Sequence, residues 1–251
     1  MTVTANRRLA EQTVLVLGGA GNMGLATAKL AAVEGAHVIL LGRRQETLER
    51  AVRQLPEGSA SVRFVVGDAT DEVQMKHIFT QIGAVDHVVA ATSSGTPQVK
   101  PPAATIPLVD LSAAHAVYSR LWAAYNVLHL ASQYVLGTVT IISGASARRP
   151  QFGYGVYGAL HGALEALARA AAVELAPLRV NVVSPGCLGV PPMDQLAHHY
   201  GQFEDLASAV VALITNPAIT ATVLDVDGGE SLGTWSGDST MTDSGELAVP
   251  Q

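Results

Sequence analysis

A tyrosine and a histidine four residues apart form the pair in this sequence that is best suited to proton transfer. Tyr157 and His161 lie in an alanine- and leucine-rich segment, ending at Glu174, whose pattern predicts a helix that begins near Tyr154 or Tyr157. Side chains four residues apart share one face of a helix, so the phenol and the imidazole would be neighbours. A tyrosine beside such a partner can act as a general acid or base.

Two serines precede this tyrosine at the end of an apolar run. Ser143 and Ser146 stand fourteen and eleven residues before Tyr157. A hydroxyl at the end of a strand can hydrogen-bond a substrate oxygen and stabilise the negative charge that develops there. A serine that only completes a turn is the alternative.

The positive charge that such a tyrosine needs is harder to find. A histidine with an ordinary pKa near 6.5 is mostly neutral at pH 7, so His161 is a weak source of charge. The chain has only three lysines, which are Lys29, Lys76 and Lys100. We hypothesise that Arg120, on the long helix predicted beside the Tyr157 helix, supplies the charge with His161 hydrogen-bonded between them. A purely structural arginine between two helices is the alternative.

A glycine loop follows the first apolar run of the chain. Gly18, Gly21 and Gly24 are spaced three apart between the run Thr13–Leu17 and the helical pattern Met23–Glu34. Bare backbone amides at a helix N-terminus suit the pyrophosphate of a dinucleotide, and side chains would obstruct its approach. The loop therefore predicts a dinucleotide cradle, with a simple tight turn as the alternative.

The ends of the second and third apolar runs bear on the choice of nucleotide. Gly42 leaves open the place where an acidic residue would bind the ribose diol, and Arg43 and Arg44 supply cations suited to a 2′-phosphate. These residues favour NADP(H) over NAD(H), with a solvated charge pair as the alternative. Asp68 could accept a hydrogen bond from adenine, although Asp68 or Thr70 could instead cap the next helix.

Seven apolar runs alternate with helical patterns along the chain. They are Thr13–Leu17, His37–Leu41, Val62–Val66, Asp86–Ala91, Thr138–Ser143, Arg179–Ser184 and Thr222–Val226. This alternation predicts an α/β fold with a doubly wound parallel sheet of seven strands and helices on both faces. Ligands of such sheets bind beyond the carboxyl ends of the strands, where the residues considered above are found.

Composition supports one globular unit. The chain has 251 residues, is 49% hydrophobic, and has no apolar run near the roughly 18 residues of a membrane span. Its net charge of −6 argues against nucleic acid as a partner. The single cysteine, Cys187, excludes an internal disulfide and fits a cytoplasmic protein with a small buried thiol. We place one domain at residues 1–233 and predict that the acidic tail, 234–251, is mobile or is an oligomer arm.

With the glycine loop, the Tyr157 helix and the segment Arg179–Gly186 in this order, the chain resembles the short-chain dehydrogenase/reductase family. The resemblance extends over residues 12–232 and includes Val-Asp-Gly-Gly ending at Gly229. It implies a Rossmann-like fold, a small-molecule substrate and NAD(H) or NADP(H) as cofactor. It also implies catalysis by a serine, a tyrosine and a lysine four residues after the tyrosine, with an asparagine on the preceding long helix.

Departures from this family pattern are concentrated in the expected active site. His161 stands at the lysine position, and Arg120 matches the helix asparagine. The usual serine position falls closest to Gly144, and a shift of one residue favours Ser143 over Ser146 as the catalytic serine. We expect no metal site.

The resemblance also implies which residues contact the cofactor. In chain order they are Gly18, Gly21, Asn22, Met23, Gly24, Arg43, Arg44, Asp68, Ala69, Ala91, Thr92, Pro185 and Gly186. Small residues on the Tyr157 helix, which are Gly158, Ala159, Gly162, Ala163 and Ala166, allow close packing of a second subunit. We therefore expect a homodimer or homotetramer formed through the two long helices, although the same residues could pack within one subunit.

The function predicted is that of an NADP(H)-dependent oxidoreductase of short-chain type. It would transfer a hydride to or from a carbonyl, alcohol or imine, with Tyr157, Ser143, His161 and Arg120 as the catalytic residues. Because several of these positions are altered together, the alternative is a cofactor-binding relative without hydride transfer, which acts in non-redox chemistry or as a binding or regulatory protein.

Overall fold

A computed structural model describes residues 7–57, 59–92, 111–150, 153–189, 196–197, 199 and 201–232. Its strands are β1 Thr13–Leu17, β2 His37–Gly42, β3 Ser61–Val66, β4 Val85–Ala90, β5 Val135–Ile142, β6 Arg179–Pro185 and β7 Val223–Val226. Its helices are α1 Asn22–Val33, α2 Gln45–Val52, α3 Glu72–Ile82, α4 Leu111–Tyr134, α5 Gly155–Glu174 and α6 Phe203–Thr215. Lys100 and the predicted tail lie outside the described residues.

All seven strands form one parallel sheet in the order β3-β2-β1-β4-β5-β6-β7. This confirms the predicted doubly wound sheet and each of the seven predicted strands. The order reverses direction between β1 and β4, and the carboxyl ends of these strands flank a crevice where ligands bind in such sheets. The glycine loop after β1 and the Tyr157 helix after β5 therefore face the same edge of the sheet.

Two apolar cores cover the two faces of the sheet. One core packs α3, α4 and α5 against it, and the other packs α1, α2 and α6. The five inner strands are buried on both faces, so their sequences are continuous apolar runs rather than alternating ones, whereas the edge strands β3 and β7 are partly exposed.

Element boundaries agree closely with those expected from the sequence. Helix α5 begins at Gly155 with Tyr154 as its N-cap residue, so the earlier of the two predicted starts is the correct one. The predicted N-cap role for Asp68 or Thr70 is wrong, because α3 is capped by Asp71, whose side chain accepts a hydrogen bond from the Gln74 amide. No helix in the described part of the chain is long and apolar enough to cross a membrane.

Candidate active site

The glycine loop forms a close-packed backbone turn between β1 and α1. Gly18 has φ +72°, and a Cβ on this residue would lie 2.4 Å from the Ala91 carbonyl oxygen. A Cβ on Gly24 would lie 2.3 Å from the Gly18 carbonyl oxygen. Both positions accept only glycine, so β1, α1 and the end of β4 approach one another through backbone alone. No side chain caps α1 at Gly21, which leaves the amides of its first turn to a ligand.

A cavity of about 230 Å³ lies beside this loop and extends to the end of β2. We call it the Arg43 cavity; its lining includes Gly18, Gly21, Gly42, Arg43, Arg44, Asp68, Ala69, Thr92 and Arg120. Both arginine side chains at the end of β2 are exposed. Their guanidinium groups form no ion pair with a carboxylate in the described residues, so their hydrogen-bond donors are available to an anion.

The far end of the Arg43 cavity is fixed by local hydrogen bonds. One Asp68 oxygen accepts hydrogen bonds from both the backbone amide and the hydroxyl of Thr70, each at 2.9 Å. The Ala69 carbonyl accepts a hydrogen bond at 3.0 Å from Asn126, which is buried on α4. No local sequence pattern identifies Asn126, because its hydrogen-bond partner lies on a different element.

A second cavity of about 500 Å³ lies on the other side of the glycine loop. We call it the Tyr157 cavity; its lining includes Asn22, Met23, Arg120, Ser143, Gly144, Ser146, Tyr154, Tyr157, His161, Pro185, Gly186, Cys187, Phe203 and Glu230. Arg120 borders both cavities. Among the predicted cofactor contacts, Ala91 lies directly beneath the loop, because its amide donates to the Leu17 carbonyl at 3.0 Å.

These surroundings fit a dinucleotide. The amides of the first turn of α1 have no side-chain cap, and the exposed guanidinium groups of Arg43 and Arg44 lie on the lining of the Arg43 cavity. The residues predicted to contact the cofactor divide between the two cavities, except that Gly24 and Ala91 line neither. The Arg43 cavity is lined by Gly18, Gly21, Arg43, Arg44, Asp68, Ala69 and Thr92, and the Tyr157 cavity by Asn22, Met23, Pro185 and Gly186. Within the described residues, no cluster of three or more metal-ligating side chains is present.

Helix α5 places Tyr157 and His161 on the wall of the Tyr157 cavity. Their ring centres are 6.3 Å apart, and the Tyr154 and Tyr157 rings are 5.9 Å apart. Tyr157 is partly exposed, and its hydroxyl makes no hydrogen bond to another described residue. Burial raises the pKa of Tyr154, and the neighbouring Cys187, Tyr157 and Glu230 raise it further. Of the two tyrosines, Tyr157 is the one that interacts electrostatically with Arg120.

That charge belongs to Arg120 on α4. Its Nη1 lies 3.1 Å from His161 Nε2, and its Nη2 donates to the Ile142 carbonyl at 3.3 Å. Burial lowers the pKa of Arg120 to about 10, while attraction to Tyr157 opposes the change, so the guanidinium is cationic at neutral pH. The Arg120 Nε is buried without a hydrogen-bond partner in the described residues.

His161 is held in its uncharged form. It is 8% exposed, and burial lowers its pKa to about 3, with a further lowering from Arg120. Its Nδ1 lies 2.8 Å from Ser146 Oγ. Both ring nitrogens therefore have partners, and the imidazole carries no charge at neutral pH.

The two candidate serines have different partners. Ser143 is 3% exposed, and its hydroxyl donates to Glu165 Oε1 at 3.2 Å. Ser146 is partly exposed and contacts His161 instead. It lies in a short 3₁₀ helix, Ala145–Ala147, which follows β5.

An ion-pair network that the sequence did not reveal anchors this short helix. Arg148 donates to both oxygens of buried Glu165 at 2.7 Å and to the Ser184 hydroxyl at 2.7 Å, and it also pairs with Asp225. Glu165 follows His161 by one helical turn on α5. The only sequence signal was this four-residue spacing, which does not identify the distant partner. The network fixes the loop after β5 against α5.

The opposite wall of the Tyr157 cavity carries a second carboxylate. Glu230 is 6% exposed, accepts a hydrogen bond from the Cys187 amide at 2.8 Å, and lies 3.8 Å from Arg149 Nη1. Cys187 is exposed, so the expectation of a buried thiol is wrong. The reason is that the Pro185–Gly186 turn directs this residue into the cavity rather than into the core.

Comparisons with known proteins agree with this geometry. The family model described as short chain dehydrogenase matches residues 12–200. A short-chain dehydrogenase/reductase of Stachybotrys chlorohalonatus is 28% identical, with 88% of this chain and 97% of that protein covered. Glucose 1-dehydrogenase of Gluconobacter oxydans is also 28% identical, with 90% of this chain and 94% of that protein covered.

Solved structures give the same result. The reductase/Diels–Alderase MalC of Malbranchea aurantiaca superimposes with a TM-score of 0.79 at 26% identity, covering 92% of this chain and all of that one. The family model matches well over half of the sequence. This chain therefore belongs to the short-chain dehydrogenase/reductase family, whose members are oxidoreductases that use a nicotinamide cofactor.

Proposed function

We propose that the protein is an NADP(H)-dependent oxidoreductase that interconverts a carbonyl or imine and the corresponding alcohol or amine on a small molecule. The observation that carries this proposal is the position of Arg120, whose guanidinium borders both cavities and contacts His161. A permanent cation at this junction can replace the charge of the lysine that the family pattern places at position 161. His161 cannot do so, because it is neutral.

The chemistry requires one proton and one hydride. Tyr157 donates its phenolic proton to the substrate oxygen during reduction, and its phenolate accepts the proton in the reverse direction. The bound nicotinamide supplies or accepts the hydride at the substrate carbon. The role of Arg120 in this step is to stabilise the phenolate, since a nearby opposite charge favours an ionised group.

The preference for NADP(H) rests on the end of β2. Gly42 brings no carboxylate to the Arg43 cavity, and the exposed guanidinium groups of Arg43 and Arg44 lie on its lining. A guanidinium can bind a 2′-phosphate with paired hydrogen bonds. A carboxylate at this point would repel that phosphate instead.

The proposal is tested with purified protein. NADPH and NADH are titrated separately, and cofactor oxidation is followed by absorbance with menadione, acetophenone and benzylideneaniline as a quinone, a ketone and an imine. We expect tighter binding of NADPH, turnover of at least one acceptor, and a roughly 10²- to 10⁴-fold loss of kcat in Tyr157→Phe with unchanged NADPH binding. Tighter binding of NADH would contradict the role of Arg43, and full activity of Tyr157→Phe would contradict the acid–base role.

Non-redox chemistry is the second candidate, and the neutral state of His161 favours it. The name of one structural relative, the reductase/Diels–Alderase MalC, combines a redox activity with a non-redox one. NADPH binding without oxidation by any of the three acceptors would favour this candidate over the first.

We also propose that α4 and α5 form a subunit interface. Trp122 and Tyr125 on α4 are 59% and 48% exposed, and a Cβ on Gly162 of α5 would meet nothing within 4 Å. Large aromatic groups on one helix and open space beside the other suit self-association. Light scattering should give a dimer or tetramer, and Gly162→Trp should shift it towards the monomer.

A further inference from the structure

The two ring nitrogens of His161 have partners of different chemical kinds. Nε2 lies 3.1 Å from Arg120 Nη1, and Nδ1 lies 2.8 Å from Ser146 Oγ. A guanidinium can only donate hydrogen bonds, so Nε2 must be the acceptor and must lack a proton. A neutral imidazole then carries its single proton on Nδ1. The contact with Arg120 therefore determines the tautomer of His161.

This tautomer determines the orientation of the Ser146 hydroxyl. The Nδ1–H group of His161 donates a hydrogen bond to Ser146 Oγ, so this oxygen is the acceptor in the contact. The hydroxyl proton of Ser146 is then available to another group. Ser146 is partly exposed and lines the Tyr157 cavity, so the available proton can reach a substrate oxygen. Ser143 differs, since its only proton is donated to Glu165 within the buried network.

Space for the imidazole depends on Gly144. A Cβ at this position would lie 2.6 Å from His161 Cε1 and 2.8 Å from its Nδ1, closer than such atoms approach in proteins. The backbone of Gly144 is extended, with φ 178°, so its conformation would accept any residue. The glycine is therefore required by the neighbouring ring and not by the turn. The serine position of the family pattern falls nearest to Gly144, so the imidazole occupies space that a side chain there would need.

From these contacts we propose that Ser146 is the catalytic residue that hydrogen-bonds the substrate oxygen, and that His161 is the positioning residue that orients it in space left open by Gly144. The inference rests on the proposed function, because a donor to the substrate oxygen acts only if a carbonyl or alcohol reacts there. Ser146 keeps its proton throughout and stabilises the charge that develops on the oxygen. Tyr157 transfers the proton that the reaction consumes.

The arrangement also implies that the family's lysine would not serve this chain. An ammonium at position 161 cannot accept a hydrogen bond from Arg120 and would bring a second positive charge beside it. Glutamine, in contrast, can accept from Arg120 through its oxygen and donate to Ser146 through its nitrogen. The order of activity expected is thus histidine, then glutamine, then phenylalanine or lysine.

The experiment compares serine variants in the NADPH assay, with whichever of menadione, acetophenone and benzylideneaniline is reduced fastest. Ser146→Ala should lower kcat by about 10²- to 10³-fold, as for loss of one donor to an oxyanion, with unchanged NADPH binding. Ser146→Thr keeps the hydroxyl and should recover part of the rate, and Ser208→Ala, on the exposed face of α6, serves as the matched control. A larger loss in Ser143→Ala than in Ser146→Ala would overturn the proposal.

The coupling of Gly144 to His161 is tested by a double-mutant cycle. Gly144→Ala should lower kcat in the native background, because the Cβ displaces the ring from Ser146, but should have little further effect when His161 is alanine. Equal losses in both backgrounds would overturn the steric coupling. Cofactor binding and thermal unfolding are measured for each variant, so that a variant that fails to fold is recognised.

Histidine side-chain nitrogen NMR tests the tautomer without any turnover. His161 should be protonated on Nδ1 from pH 5 to pH 8, and its signal should shift in Ser146→Ala. A proton on Nε2 would overturn the inference even if the protein is an active reductase. If no acceptor is reduced and the Nδ1 tautomer is present, the proposed function fails while the arrangement of His161 and Ser146 stands.

Discussion

The two cavities that meet at Arg120 are built from different parts of the chain. The glycine loop beside the Arg43 cavity packs backbone against backbone, and Gly18 and Gly24 lie so close to neighbouring carbonyl groups that no side chain fits. The Tyr157 cavity is lined largely by side chains, which come from α4, α5, the loop after β5 and the segments after β6 and β7.

This difference bears on which positions can vary. Gly18 and Gly24 lie against backbone carbonyl groups with no room for a side chain, so these two positions of the loop admit only glycine. A cation, by contrast, can come from any element that reaches the site, and we propose that Arg120 of α4, which contacts His161, replaces the charge of a lysine on α5. The following substitutions test that contrast, from the largest expected effect to the smallest.

Removing the cation at the junction should have the largest effect on catalysis. Arg120→Met should lower kcat by about 10³-fold, or about 4 kcal/mol, because the phenolate of Tyr157 loses its counter-charge and His161 loses its donor. Arg120→Lys should retain more activity, since it keeps a charge. The measurement is kcat as a function of pH in the NADPH assay, where the methionine variant should need a higher pH for oxidation. Native kinetics in Arg120→Met would favour a structural arginine.

A substitution in the glycine loop should lower both the free energy of unfolding and the affinity for the cofactor. Gly18→Ala forces a left-handed conformation on alanine and places Cβ 2.4 Å from the Ala91 oxygen, so we expect a loss of about 3 kcal/mol in the free energy of unfolding. Gly21→Ala is the matched control for the unfolding measurement, because its Cβ would lie 3.3 Å from the Gly18 oxygen, a contact that a small shift relieves. Urea unfolding and NADPH titration measure both effects. Equal behaviour of the two variants would contradict the backbone argument.

The Arg43 cavity should show a smaller and cofactor-specific effect. Arg43→Gln should weaken NADPH binding by about 10- to 30-fold, or about 2 kcal/mol, and leave NADH binding unchanged, since only NADPH carries the 2′-phosphate. Arg53→Gln, an exposed arginine that follows α2 and does not line the cavity, is the control. A parallel loss for both cofactors would assign Arg43 to another role.

The two buried histidines should make stability depend on pH. Burial lowers the pKa of His161 to about 3 and that of His87 to about 4. His87 lies near the start of β4, where its ring nitrogens contact Thr138 and Gln12. Both values lie below the ordinary 6.5, so below pH 6.5 the unfolded chain takes up protons that the folded chain refuses. The free energy of unfolding should therefore fall as the pH decreases from 6.5 towards 4, by up to about 1.4 kcal/mol per pH unit for each histidine.

Urea unfolding at pH 7 and pH 5 measures this slope. His161→Gln and His87→Gln should each remove about half of it, and an unchanged slope in either variant would show that its imidazole is not buried as a neutral group. Only His161→Gln should also alter kcat, because His87 lines neither cavity.

Much of the fold and part of the site could be predicted from local sequence patterns. The alternation of apolar runs and helical segments indicated all seven strands, and the four-residue spacing placed Tyr157 and His161 on one helical face. Both patterns reflect the periods of strands and helices, which each segment carries in its own residues. The glycine spacing was equally local, because one turn holds all three residues.

The contacts from which we propose Ser146 over Ser143, the tautomer of His161 and the need for Gly144 exist only in the tertiary structure. Each depends on how α4, α5 and the loop after β5 approach one another, with Arg120 and His161 meeting across 41 positions of sequence. No sequence period encodes such a distance. The residues were all visible in the sequence, but the hydrogen bonds that give them their roles form only when the two helices pack beside the sheet.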